Sequence, residues 1–345
     1  MSRRLPPASD RKVTIHDIAR EAGVSVATVS RTFSHPERVR DATRQQILAV
    51  CEKHHFVADA MARSLARRRS GFLAVIIPSL YNSIYAASTQ AIQTAAEAAG
   101  YTVLIGVSEF SKAREAQLIR QFVERRVEGL ILTGADRDRD AQALILRNQV
   151  PSIITWLVPQ RGAIPWVSFD NFSAAAAVVD HLAALGHRRI ALVCGRTDLN
   201  DRALARRRGF EARMMELRLP FGPADIQECE FDFTEGRKAM RRFLDRKDPP
   251  TAVFCANDIV AVGALYECQR LGKRVPEDVS IVGFDDLPLA QYVFPQLTSV
   301  RVPAAEMGAQ AVELLLSLIG GHRPRSRTLH TEIVMRSTSA PPAGA

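Results

Sequence analysis

The sequence predicts a small all-α head followed by a larger α/β body made of two doubly wound parallel-sheet subdomains. Three observations predict it. Short amphipathic helices punctuated by glycine fill the first part of the chain. From Gly71 onward, continuous apolar strands alternate with amphipathic helices, the pattern of parallel sheets covered on both faces. Charge is also unevenly placed: residues 1–70 hold 14 Lys and Arg against 7 Asp and Glu, which is +7 of the chain's +9, leaving the 275 residues of the body near neutral. A basic head on a near-neutral body is the arrangement of a protein whose head meets a polyanion.

Residues 1–11, with Pro6, Pro7 and several arginines but no periodicity, are expected to be a disordered basic tail. The head is expected over 12–58. Thr14 and Asp17 have the form of a capping box, with Asp in place of the usual Glu, and Ile15, Ile18, Ala19 and Ala22 line one helical face. Gly23 stops that helix, and Ser25 caps a second over 26–32 that buries Val29 and Phe33. A third helix is expected from Ala42 to His54, with Ile47, Leu48 and Cys51 inward.

Two helices joined by a short glycine-containing turn form a helix-turn-helix, whose second helix fits a DNA major groove. With Val29 inward, Val26, Ala27, Ser30 and Arg31 face outward. Short side chains at the start of the helix allow close approach to base edges. Arg31 offers a bidentate fork to guanine or a charge to phosphate. A plain helical hairpin would have little reason to expose this face inside so basic a domain. Residues 59–70, "DAMARSLARRRS", are helix-prone but too short to be stable alone, so they are expected to be a hinge as well as a linker.

In the body, strands are expected at 72–78, 101–106, 129–133, 152–156, 166–171, 189–195, 251–257 and 279–286, with helices at 84–100, 112–126, up to 185–186, and 258–272 between them. About ten such units exceed one doubly wound sheet, hence two subdomains. The chain has no run of 18 apolar residues, so no membrane partner is expected. The basic N-terminus runs into polar residues, unlike a secretory signal. Five widely spaced cysteines without a C-x-x-C pair suggest reduced thiols in a cytoplasm. Cys51 and His55 stand four apart, but two further ligands are missing, so neither metal nor cofactor is expected. No nucleophile-elbow, Walker or dinucleotide motif stands in the right context. The adjacent pair Asp285–Asp286 should point apart at a strand end rather than do acid/base work. No enzyme is expected.

The motifs "TIHDIAREAGVSVATVSR", "ARSLA" (62–66), "LGHRRIALVCG" (185–195), "RRRGF" (206–210), "CANDIVAVGAL" (255–265) and "VPEDVSIVGFDD" (275–286) occur in this order and spacing. From about Lys12 to Met335 the chain thereby resembles the lac-repressor/gal-repressor (LacI/GalR) family of bacterial transcription regulators. The resemblance implies a helix-turn-helix head, a hinge helix at 59–70 and a periplasmic-binding-protein-like effector domain over 71–336. Its N-subdomain would span about 71–171 and 298–325, its C-subdomain about 172–297 and 326–336, with 337–345 a disordered tail. Operator contacts would come from Thr14, His16, Ser25, Val26, Ala27, Thr28, Ser30 and Arg31, and from the hinge residues Ala62 and Leu65. Leu65 stands where the family inserts a wedge into the minor groove at the operator centre.

The family binds a small-molecule effector between the subdomains, at the carboxyl ends of their strands, as open α/β sheets do in general. Arg206, Asn257 and Asp285 match the family's ligand positions, with Asn82, Tyr85, Trp156, Phe169, Asp170 and Phe231 as neighbours. These residue types suit a polyol, the Asn and Asp taking adjacent hydroxyls and the Arg a ring oxygen, hydroxyl or carboxylate. Three departures stand out. Ala58 and Asp59 replace the common Pro-Asn before the hinge, Arg40 replaces the capping Ser of the third helix and leaves Asp41 as cap, and Trp156 stands where many members have Asp. "PSLYN", "SFDN", "ITW" and "ECQRLGKRVPEDV" look most like the gluconate-regulator branch, which hints at a sugar acid. The expected protein is a cytoplasmic homodimer that represses carbohydrate or sugar-acid genes and is released from double-stranded, pseudo-palindromic operator DNA by its effector. A corepressor-dependent regulator, an activator and a non-regulatory sugar-binding protein are the alternatives. No leucine heptads follow Met335, so a coiled-coil tetramer is not expected.

Overall fold

The computed structural model describes residues 13–56 and 69–343. It divides at Gly71 into two units. The expected hinge positions Ala58, Asp59, Ala62 and Leu65 lie outside the described residues, as do residues 1–12, which include the expected tail at 1–11.

The head consists of α1 (Ile15–Glu21), α2 (Val26–Ser34) and α3 (Asp41–Lys53), with a short 3-10 turn at Pro36–Arg38. The capping box forms: the Asp17 N–H donates to Thr14 Oγ1 at 3.4 Å and the Thr14 N–H donates to Asp17 Oδ2 at 3.0 Å. Gly23 adopts φ +62°, the left-handed conformation that ends α1 where a side chain would be strained. Ser25 Oγ then accepts the Thr28 N–H at 3.1 Å and starts α2. Ile18, Ala19, Ala22, Val29, Ile47 and Cys51 form the core between the three helices.

Two details of the head differ from the sequence reading. Leu48 is exposed, because Ile47 and Cys51 already fill the face of α3 that meets α1 and α2. Asp41 is the first residue of α3 rather than its cap; Arg40 holds the cap position with no side-chain bond, and the Asp41 carboxylate acts on the positive helix end from within the first turn.

In the body, β1 (Phe72–Ile77), β2 (Thr102–Val107), β3 (Gly129–Thr133), β4 (Ser152–Thr155), β5 (Trp166–Phe169) and β11 (Arg327–Leu329) form one parallel sheet in the order β11-β5-β4-β3-β1-β2. The second sheet holds β6 (Ile190–Gly195), β7 (Ile226–Cys229), β8 (Ala252–Cys255), β9 (Ser280–Asp285), β10 (Thr298–Arg301) and β12 (Glu332–Val334) in the order β12-β10-β9-β8-β6-β7. It is parallel except for the β10–β12 edge pair. Alternate residues of one strand enter different cores, which is why these strands are apolar throughout. In β1, Leu73, Val75 and Ile77 pack against α4 (Ser83–Ala98) and α11 (Ala304–Ile319), while Ala74 and Ile76 pack against α5 (Lys112–Glu124) and α6 (Arg139–Arg147). In the second sheet, Ile190, Leu192 and Phe254 face α7 (Asn171–Ala184) and α8 (Asp201–Glu216). Ala191, Val193 and Val253 face α9 (Phe233–Leu244) and α10 (Asp258–Arg270).

The chain crosses between the sheets three times, between Phe169 and Asn171, between Arg301 and Ala304, and between Leu329 and Glu332. Two strands near the later crossings pair otherwise than the expected limits would have them. β10 belongs to the second sheet, paired with β9 in the register Thr298↔Val282, and β11 belongs to the first, paired with β5. The tail is likewise ordered through Ala340, against expectation. Thr338 is fully buried, its hydroxyl donating to the Ile281 carbonyl at 2.6 Å and accepting the Thr298 N–H at 2.9 Å. Ala340 O accepts from Ser280 Oγ and lies 2.9 Å from His187 Nε2. Small residues with hydroxyls and carbonyls pair with groups of the first residues of β9 and β10, a source of order that apolar periodicity does not register.

Candidate functional site

The outward face of α2 presents Ala27, Ser30 and Arg31 exposed, with Ser25 just before them and Thr14 and His16 exposed at the start of α1. Arg31 makes no ion pair among the described residues, so its guanidinium is available to a partner. Val26 and Thr28 are only half-exposed. Val26 leans on the head core, and Thr28 shares its hydroxyl with Ser25 at 2.8 Å. Thr32 and Ser34, on the inward side, return their hydroxyls to the Thr28 and Ser30 carbonyls at 3.0 Å each and so cost little to bury.

The second site lies in the body, at the carboxyl ends of the strands of both sheets. Asn82, Ile84, Tyr85 and Trp156 from the first subdomain meet Asn171, Arg202, Arg206, Phe231, Asn257 and Asp285 around one cavity. All but Arg206, in the second turn of α8, and Phe231, in the loop after β7, are put there by a strand end or a helix start. Asn82, which follows β1, caps α4 through Ile84 N–H at 3.3 Å. Asn257, after β8, caps α10 through Ile259 N–H at 2.9 Å and turns its amide to Asp285 Oδ2 at 2.6 Å. Asp258 is wholly buried behind them, accepting Leu287 N–H at 2.7 Å and Ser299 Oγ at 2.6 Å, and so holds the turn after β9. The tip of the Phe231 ring meets Gly195 at the end of β6, where a Cβ would stand 2.5 Å from Cζ.

The electrostatics of this cavity are set by burial. The Arg206 guanidinium stacks 4.7 Å from the Phe284 ring centroid and donates to Asn171 Oδ1 at 3.2 Å, while Asn171 Nδ2 holds the Trp156 carbonyl at 2.8 Å. Burial pushes the Asp285 carboxyl up to about 7, although Arg206 and the Asn257 amide both favour its charged form. Burial likewise raises the Tyr85 phenol and lowers Arg206. Trp156, at φ +70°, and Asp285, at φ +113°, carry backbone strain at the cavity wall, where such strain tends to gather. Trp156 packs edge-on against Tyr85 at 4.9 Å.

Asp201 joins the two subdomains beside the cavity. From the start of α8 its Oδ2 accepts the Ala135 and Asp136 N–H groups of the β3–α6 loop at 2.7 and 2.9 Å, and its Oδ1 accepts Arg202 Nη1 at 2.7 Å. The cavity itself measures about 10 Å³, with room for about one water molecule. Adjoining cavities of about 30 Å³, sharing Arg202, and about 80 Å³, sharing Phe231, lie next to it. Sites for small organic ligands run to roughly 300 Å³ or more. The cavity as it stands is well below that size.

Of the nine residues expected here, Asn82, Tyr85, Trp156, Arg206, Phe231, Asn257 and Asp285 come together. Phe169 does not line the cavity but packs behind it, 6.2 Å from Trp156 and from Phe284. Asp170 caps α7, accepting Phe172 N–H at 2.9 Å and Ser173 Oγ at 2.6 Å. Asn171, Ile84 and Arg202 went unread. Arg202 lies one helical turn before Arg206, and that four-residue spacing on a helix was the signal available for it. Asp286 turns the other way from Asp285, pairing with Arg301 at 2.8 Å and Arg336 at 2.7 Å, so the two carboxylates serve different sides of the sheet.

The model of bacterial regulatory proteins of the lacI family matches residues 14–59, and that of a periplasmic binding protein-like domain matches 179–339. Over 328 residues, 94% of this chain and 96% of the relative, the sequence is 33% identical to the HTH-type transcriptional repressor CytR of Escherichia coli (strain K12). The chain belongs to the LacI family. It is a DNA-binding, ligand-responsive transcriptional regulator of that family, and the regulators it matches are not enzymes. The lac repressor dimer bound to operator and an anti-inducer superposes with a TM-score of 0.86 at 27% identity, over 96% of this chain and all of that one. The transcription regulator GntR from Chromobacterium violaceum superposes with a TM-score of 0.73 at 31% identity, over 78% of this chain and 99% of that one. No helix among the described residues is long and apolar enough to cross a membrane.

Proposed function

We propose that this LacI-family protein is a cytoplasmic homodimeric repressor of carbohydrate or sugar-acid utilisation genes, released from its operator by an effector bound between the two sheets. The meeting of Arg206, Asn257 and Asp285 with aromatic side chains in one cavity carries this reading. Amides and a carboxylate exchange hydrogen bonds with adjacent hydroxyls, and Tyr85, Trp156 and Phe231 supply faces for a carbon skeleton. The exposed face of α2, with Ala27, Ser30 and Arg31, is the base-reading surface, and Leu65, outside the described residues, is the proposed minor-groove wedge. Two heads on adjacent half-sites account for a pseudo-palindromic operator. The domain limits follow the three crossings, with β10 in the second subdomain and β11 in the first.

Release follows from differential binding. An effector that fits only when the subdomains part shifts the body toward that arrangement by the difference in its affinities for the two. The test is a fluorescence-anisotropy titration of an operator selected with the purified full chain, repeated with sugars, aldonic acids and sugar phosphates. Release by a compound that also raises the melting temperature supports the reading. Tighter operator binding with the same compound would make it a corepressor and overturn release.

A further inference from the structure

Asp201 makes bonds that its own helix does not need. It is the first residue of α8, but Asn200 caps that helix, accepting the Arg202 and Ala203 N–H groups at 3.1 and 3.3 Å. The Asp201 carboxylate turns to the other subdomain instead. One oxygen accepts both the Ala135 and Asp136 N–H groups, and the other is held by Arg202 Nη1. The side chains of Asp201 and Arg202 are 13% and 8% exposed, so water competes little for these bonds.

The facing loop is shaped to receive the carboxylate. Gly134 stands at φ +76°, and a Cβ there would lie 2.4 Å from Arg202 Nη1 and 2.7 Å from Asp201 Oδ1, so a side chain would force the pair away. Buried Arg137 donates from Nη2 to the Gly134 carbonyl at 2.7 Å and lies 3.5 Å from the Glu115 carboxylate of α5. Lys112 Nζ holds Asp136 Oδ1 at 2.7 Å. The loop is thus braced by its own subdomain and offers its two amides to an acid of the other. Asn171 also bonds across, to the Trp156 carbonyl, but beside the first crossing, where the chain itself ties the subdomains. Asp201 and the loop flank no crossing, so their bonds part when the subdomains part.

Resting on the function proposed above, we propose that Asp201 is a positioning residue for DNA binding. Its carboxylate clasps the 134–136 loop and favours the subdomain arrangement in which the head holds operator, so an effector must break the clasp to release DNA. Clasp and effector oppose one another through one equilibrium between arrangements. Two bonds to an ionised acceptor bias that equilibrium, because both amides lose a charged partner when the subdomains part. Asp201→Asn keeps the size of the side chain but has one oxygen where the clasp uses two. Turned to the loop, it sets its NH2 against Arg202; turned to Arg202, it sets its NH2 against two N–H donors.

The test needs no effector. Amide hydrogen exchange of the full chain, read residue by residue, is compared among wild type, Asp201→Asn and Asp198→Asn, together with anisotropy titration of an operator selected with the full chain. Asp198 is an exposed acid paired with Arg196, so its variant removes the same charge and leaves the clasp intact. In Asp201→Asn, exchange at Ala135 and Asp136 is expected to quicken about 10-fold or more while Ile131 of β3 keeps its rate. Operator binding is expected to be about 5-fold or more weaker than in Asp198→Asn. A merely structural role would quicken exchange in β3 as well. If Asp201→Asn does not fold, Asp201→Ser, too short to reach the loop, takes its place. Unchanged exchange at the two amides overturns the clasp. Quickened exchange with operator affinity unchanged or tighter overturns its hold on DNA binding. Weaker operator binding in Asp201→Asn, with no release of wild type by any sugar, aldonic acid or sugar phosphate, would uphold the clasp and refute the effector proposed above.

Discussion

At the scale of the residue, Arg206 and Asp285 explain each other. Arg206 has lost its water and keeps an amide oxygen, an aromatic face and the Asp285 charge in its place. Its loss removes the charged donor and leaves Asp285 buried without a cation. Arg206→Ala is expected to weaken effector binding about 10-fold or more, read by calorimetry; undiminished affinity would take it out of the site. Asp285 gives a pH signature. Its folded carboxyl titrates at about 7 against an ordinary 3.8, so the folded protein holds a proton that the unfolded chain has released. Its contribution to stability is full below pH 3.8 and lost as pH rises to about 7. Asp285→Asn lacks that loss. Its melting temperature should gain on the parent between pH 5 and pH 7 and stay ahead above that, whereas a constant difference across pH would show that the carboxyl does not titrate there.

At the scale of the element, helix starts and helix contacts were not equally legible. Caps are written locally: Thr14, Asp17, Gly23 and Ser25 could be read because a cap bonds within three residues of itself. Ser25→Ala should cost about 1 kcal/mol of head stability by removing the bond to Thr28 N–H, and denaturant unfolding of the chain would measure it. Gly209 was legible only as part of a motif, and its physical reason lies across the fold. A Cβ there would stand 2.1 Å from the Phe172 carbonyl oxygen of α7. Because backbone meets backbone, Gly209→Ala should destabilise the body by about 1–3 kcal/mol; a neutral substitution would mean that the two helices slide apart freely. The same distinction explains Asp170 and Phe169. Their place beside a strand end suggested a wall of the site, but capping and core packing claim side chains at strand ends as readily as ligands do.

At the scale of the whole molecule, alternation of strand and helix was enough to read two subdomains, since both faces of each strand are buried and leave an apolar run. The routes between them were not legible, because β10, β11 and β12 are three or four residues long and their pairing is chosen by the sheets they reach. The tail escaped for the same reason, its order coming from Thr338 and Ala340 bonded to groups far away in sequence. His187 reports on that junction: burial lowers its pKa from the ordinary 6.5, so the folded state prefers the neutral ring between Thr251, Ser280 and Ala340. Stability from this contact is present above pH 6.5 and falls as the pH drops toward the folded value. Hydrogen exchange at Ile281 and Ala340 should therefore quicken between pH 7 and 5 beyond the ordinary pH trend, and exchange that merely follows that trend would place the tail's anchor elsewhere.

In the proposed function, a molecule bound between the two sheets governs the grip of the head on DNA. The most direct measurement is operator anisotropy with and without the effector, run on the wild type and on Arg206→Ala in parallel. Effector is expected to release the wild-type protein from operator, while the variant binds operator and is no longer released. Equal release of both proteins would contradict it, since the signal would then enter the molecule somewhere other than the cavity of Arg206.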